Sequence, residues 1–77
     1  MRLTRREEQV MSLVALGMKS AQMAEFMGLS VRTIHAHLAN IYMKFGVTNR
    51  AAALMQYLKS QLAVEFNVGK ELYEQRK

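Results

Sequence analysis

The sequence contains no cysteine, no proline and no aspartate. Without cysteine, no disulfide framework and no thiolate metal site holds so short a chain together. Without proline, nothing removes a backbone donor from the interior of a helix. No stretch approaches the roughly 18 apolar residues of a membrane span. The opening Met1-Arg2-Leu3-Thr4-Arg5-Arg6-Glu7 is charged where a signal peptide needs an apolar run. These absences point to a reducing, cytoplasmic setting with no membrane partner. A catalytic constellation is also missing: there is no thiol, no aspartate and no glycine-rich phosphate loop, and the six glutamates fall on expected exposed helix or tail positions. We therefore expect no enzyme and no cofactor.

Acidic residues are absent from one long segment as well. Between Glu25 and Glu65 there is none, whereas Arg32, Lys44, Arg50 and Lys59 lie there, and Arg2, Arg5 and Arg6 form a second basic cluster. Such a segment either meets a polyanion, releasing counterions from each phosphate it neutralises, or is an ordinary solvated face. The net charge of +5 does not separate the two.

What is present is a helical pattern in a chain of 77 residues, 51% of them hydrophobic. A chain of this size makes one domain, burying only about 60% of the surface its unfolded form exposes. Thr4-Arg5-Arg6-Glu7 has the form of a capping box. Val10, Met11, Leu13, Val14 and, less cleanly, Leu16 follow at helical spacing, and Gly17 stands where a left-handed cap is expected. Ser20 is read as the cap of a short second helix, with Met23, Ala24, Phe26 and Met27 inward. Ser30 is a good N-cap for a third, whose inner positions Ile34, Leu38, Ile41 and Phe45 are spaced four, three and four apart. Gly46 ends it. Asn49 caps a fourth helix carrying Ala51, Leu54, Met55, Leu58 and Leu62. The expected fold is all-α, with helices over about 5–16, 20–27, 31–45 and 50–64. Residues 1–64 form the domain. Residues 65–77, with Asn67 and Gly69 as breakers, form a tail that extends the fourth helix, makes a short helix of its own, or frays.

The second and third helices carry the strongest local signal. Counting Ser20 as the first position, Ala24 is fifth, Gly28 ninth and Ile34 fifteenth. A helix-turn-helix needs a small residue where its helices touch, a glycine in the tight turn, and an apolar plug from the second helix into the core. An ordinary helical corner has the same small-residue and glycine spacing, so the pattern alone leaves both open.

The residues around it resemble the LuxR/FixJ family of bacterial regulators. That family opens with Leu-Thr-x-Arg-Glu, beside Leu3-Thr4-Arg5-Arg6-Glu7 here, and ends its first helix on a glycine, beside Gly17. Its second helix carries an apolar residue and alanine, beside Met23-Ala24. Its turn and recognition helix read apolar-Ser-x-x-Thr-Val-Lys-x-His, beside Leu29-Ser30-Val31-Arg32-Thr33-Ile34-His35-Ala36-His37. It closes with Lys-Leu-x-Val-x-Asn-Arg, beside Lys44-Phe45-Gly46-Val47-Thr48-Asn49-Arg50. The likeness runs in order and without gaps over about two thirds of the chain. It implies a four-helix LuxR-type helix-turn-helix domain that regulates transcription by binding double-stranded DNA, third helix in the major groove. It also implies a homodimer through the fourth helix, with Leu54, Tyr57, Leu58 and Leu62 as contacts. The chain departs from the family at Lys19-Ser20-Ala21-Gln22, where Ser-Asn-Lys-Glu is usual, and at His35, where lysine is usual. With Ala36 and Ala39 also facing the groove, the recognition surface carries little fixed charge, and we expect modest affinity helped by dimerisation.

Arg32, His35, Ala36, Ala39 and Asn40 fall on the outer face of the third helix, away from Ile34, Leu38 and Ile41, and are the expected base readers. Arg32 can fork onto guanine, Asn40 can bond adenine or a phosphate, and the alanines can touch thymine methyls. Phosphate candidates are Lys19, Ser30, Thr33, His37, Lys44 and Arg50; Ser30 competes as a cap, and His37 as a residue at the core edge. His35 and His37 cannot share a metal, because residues two apart lie about 200° apart around a helix. Met11, Met23, Met27 and Met55 are read as core filling, not as a pliable partner groove. A second hypothesis keeps the fold but makes it a protein-interaction module that pairs with another regulator and silences it. RNA polymerase or another regulator is a further partner compatible with the first.

Overall fold

The computed structural model describes residues 2–61 and 73–75. Among them are four helices and no strand: α1 (Arg5–Ala15), α2 (Ser20–Met27), α3 (Val31–Phe45) and α4 (Arg50–Gln61). The second and third match the expected ranges, and the first ends one residue early. The expected continuation of the fourth helix to residue 64 lies outside the described residues. So does the tail at 65–77, except for residues 73–75, which are helical.

Local chemistry explains where each helix starts. Thr4 Oγ1 accepts from the Glu7 backbone N–H (3.1 Å), and Glu7 Oε1 accepts from the Thr4 N–H (2.8 Å), so the capping box closes in both directions. Ser30 Oγ accepts from the Thr33 N–H at 3.0 Å, and Asn49 Oδ1 from the Ala52 N–H at 2.8 Å. The second helix starts differently from expectation. Its cap is Lys19, whose ammonium accepts nothing; instead the Lys19 N–H donates to Gln22 Oε1 at 2.8 Å. Ser20 is already the first helical residue, and its hydroxyl faces Arg50.

The first three helices end on the same device. Leu29 N–H reaches back to Ala24 O (2.8 Å), Val47 N–H to Tyr42 O (3.0 Å) and Met18 N–H to Leu13 O (3.1 Å), each across a glycine with positive φ. This is the Schellman ending, and the apolar residue after each glycine folds back toward the core. At Gly28 the conformation (φ 68°, ψ 32°) is the sharp turn that separates α2 from α3.

The core is made by Val10, Met11, Leu13 and Val14 of α1, Met23 and Ala24 of α2, Ile34, Leu38 and Ile41 of α3, and Ala53 of α4. α3 packs against all three other helices, so it is the hub of the domain. Val10, Met11, Met23, Ile34 and Ile41 are fully buried, each worth about 1.5–3 kcal/mol of apolar transfer.

Three expectations about burial are corrected. Phe26 is 71% exposed because the eight-residue α2 rests on α3 through Met23 and Ala24, leaving Phe26 more than a quarter-turn away from the contact. Met55 is 61% exposed, since α4 turns Ala53 into the core and Met55 lies on its far side. Glu7, placed with the exposed glutamates, is only 4% exposed. It sits on the inner side of the first turn of α1, where Lys44 of α3 meets it.

Candidate nucleic-acid interface

The candidate interface lies on α3, whose inner stripe is locked into the core while its outer stripe is open. Arg32, His35, Ala36, Ala39 and Asn40 are all exposed on that helix. Because α3 carries Ile34, Leu38 and Ile41 into the centre of the packing, the outer residues ride on a rigid support. Met43 belongs to the same face and escaped the sequence reading; it is 79% exposed and follows Ala39 by four residues. The four-residue interval from Ala39 is the signal in the sequence that places it there.

Thr33 and His37 are half-buried on one flank of α3. At the start of the helix, Ser30 Oγ accepts the Thr33 N–H, and the two hydroxyls hydrogen-bond to each other at 2.9 Å. Lys19 is exposed at the start of α2. The first turns of α2 and α3 hold no acidic residue, whereas that of α1 holds Glu7 and Glu8. Their positive dipole ends are therefore not neutralised by carboxylates of the same helix.

Lys44 and Arg50 face inward, and the structure gives both a structural partner. Lys44 Nζ donates to Glu7 Oε1 at 2.6 Å and to Arg2 O at 3.3 Å, tying the end of α3 to the start of α1. Burial by itself raises the Glu7 pKa, but hydrogen bonds from Lys44 and the Thr4 N–H, with the Lys44 charge, outweigh it and hold the carboxyl below its ordinary 4.5. Arg50 donates to Met18 O at 3.3 Å and to Ser20 Oγ at 2.6 Å, tying the start of α4 to the start of α2. These two bases hold the helix-turn-helix against the rest of the domain. Sequence could not show it, because the partners are 37, 32 and 30 positions away.

On α4 the structure divides the four anticipated contact residues. Leu54 and Tyr57 are half-buried against the domain's own core, Leu58 is exposed, and Leu62 lies outside the described residues. The face pointing away from the core is Ala51, Met55 and Leu58, spaced four and three apart. Among the described residues, no group of three or more His, Cys, Asp or Glu comes together, and no helix is long and apolar enough to cross a membrane.

A short helix, a glycine turn and a second helix with a buried inner stripe and an open outer one define a helix-turn-helix domain. The luxR family of bacterial regulatory proteins matches residues 1–57. The transcriptional regulatory protein UhpA of Escherichia coli K12 is 47% identical over 47 residues, covering 61% of this chain and 24% of UhpA. The probable transcriptional regulatory protein SgaR of Hyphomicrobium methylovorum is 42% identical over 52 residues, covering 68% of this chain and 25% of SgaR. Among solved structures, the response regulator ChrA of a heme-sensing two-component system superposes with a TM-score of 0.76 at 32% identity, over 80% of this chain and 31% of ChrA. The chain belongs to the LuxR family, whose members are DNA-binding regulators of transcription. It spans about a quarter of the length of the curated relatives named here.

Proposed function

We propose that the domain binds double-stranded DNA with α3 in the major groove and regulates transcription by doing so. The observation that carries this is the outer face of α3: Arg32, His35, Ala36, Ala39 and Asn40 are exposed together on the helix that the rest of the domain packs to support. A groove about 12 Å wide admits a helix of that diameter, and small residues at 36 and 39 let its backbone approach the base edges closely. Arg32, His35 and Asn40 supply the polar contacts. Its role is binding, without catalysis.

Phosphate contact falls to Lys19, Ser30, Thr33 and His37 on this account. Ser30 and Thr33 share one hydroxyl hydrogen between them, so the second O–H of the pair serves as a donor to a phosphate oxygen. The helix starts, free of acidic side chains in their first turns, add backbone donors. Lys44 and Arg50 act from behind, fixing the geometry. The second copy required for two half-sites docks through Ala51, Met55 and Leu58 of α4, the open apolar line of that helix. The domain works in a cytoplasmic setting, with RNA polymerase or another regulator as a further partner.

The test is titration of random-sequence duplex DNA at two salt concentrations. Affinity is expected to fall as salt rises, with a slope proportional to the number of phosphates neutralised. Absence of binding at the lower salt would sink the proposal and leave a protein-interaction module as the better account.

A further inference from the structure

The midline of the outer face of α3 is apolar beyond its first turn. Arg32, Ala36, Ala39 and Met43 follow at intervals of four, three and four, which keeps them on one line, and all are exposed. That line runs opposite the buried Ile34, Leu38 and Ile41. Of its first three members only Arg32 donates hydrogen bonds; Ala36 and Ala39 present one methyl group each.

An alanine against a base edge selects by what it lacks. Facing guanine O6, adenine N6 or cytosine N4, it displaces water and returns no hydrogen bond, which disfavours those bases. Facing thymine, it meets the C5-methyl group, the apolar feature that the major groove displays. Three residues of helix rise about 4.5 Å, close to the roughly 3.4 Å between base pairs. The two alanines therefore address neighbouring base pairs, with Arg32 about one turn before them.

Resting on the DNA-binding account above, we propose that Ala36 and Ala39 recognise the C5-methyl groups of two pyrimidines on adjacent base pairs, beside a guanine read by Arg32. The preferred half-site is thus defined by methyl groups as much as by hydrogen bonds. A cytosine methylated at C5 carries the same group at the same place and substitutes for thymine there better than plain cytosine does.

The test starts from duplexes selected by the whole chain from a random pool at low salt. Each thymine of the selected site is then replaced singly by uracil, which deletes the methyl group and keeps every hydrogen-bonding atom. The protein is unchanged, so its folding does not enter. Affinity is expected to drop about fourfold at each of two adjacent base pairs, the effect of one buried methyl, and to stay constant elsewhere. Ala36→Ser and Ala39→Ser should each abolish one of the two losses. A selected site at which no uracil matters would overturn methyl recognition while DNA binding stands. Failure to bind any duplex at low salt would overturn both.

Discussion

Glu7 is the only buried charged residue among those described, and one of its oxygens accepts from Thr4 N–H and from Lys44 Nζ together. Removing Lys44 leaves the carboxylate buried with one donor fewer, whereas removing the charge of Glu7 lets the lysine turn toward water. Breaking a fully buried pair costs about 3–5 kcal/mol, but Lys44 is 21% exposed, so solvent screening reduces this. We expect Lys44→Met to cost about 2 kcal/mol, lowering Tm by roughly 10 °C in a domain of this size, and Glu7→Gln to cost less; thermal melts decide the order. The folded pKa of Glu7 lies below 4.5, so its ionisation stabilises the fold fully above that value and progressively less as pH falls through the folded pKa. Stability of Glu7→Gln should accordingly depend less on pH in the acid range than that of the parent. Arg32 is the corresponding residue on the outer face. Arg32→Ala should relax preference at one base position of a selected site by ~1–3 kcal/mol; an equal loss on every sequence would make it a phosphate contact instead.

Helices here are specified by their ends as much as by their stripes. Threonine, serine and asparagine at the starts, and glycine at three ends, were legible because capping is chemistry between residues three to five apart. The long α1 and α3 stripes were legible for the same local reason. Phe26 and Met55 were not: in a helix of eight residues or one with a single buried residue, composition does not fix the rotation, and the neighbour does. Lys44 and Arg50 were hidden because basic side chains look alike in sequence whether they face phosphate or a partner thirty or more positions away. The turn itself offers a discriminating pair of variants. A methyl group added at Gly28 meets nothing within 4 Å, so only the positive φ is strained. Gly28→Ala should cost about 1–2 kcal/mol and leave DNA affinity intact below the melting transition. Ala24 is buried where α2 meets α3, and Ala24→Leu pushes the helices apart, at about 1–3 kcal/mol or more. It should weaken DNA binding even where the protein is folded. Equal affinities for the two variants would mean that the α2–α3 packing does not set the interface.

At the scale of the whole molecule, the proposed binding mode assigns one domain to one half-site, and the question becomes how two copies would meet. Ala51, Met55 and Leu58 form a short line, smaller than the roughly 800 Å² per partner of a standard stable interface. Free in solution, such a contact is weak. On DNA carrying two half-sites about one helical turn apart, each copy raises the local concentration of the other, and the same weak contact becomes effective. The chain should then be monomeric at micromolar concentration by sedimentation and bind two-site DNA more tightly per copy than single-site DNA. Met55→Glu combined with Leu58→Glu places two like charges on that line without touching the core, because both residues are exposed. The double variant should keep its Tm and its single-site affinity and lose the advantage on two sites. If the advantage survives, the copies do not meet through α4, and DNA bending or another face must couple them.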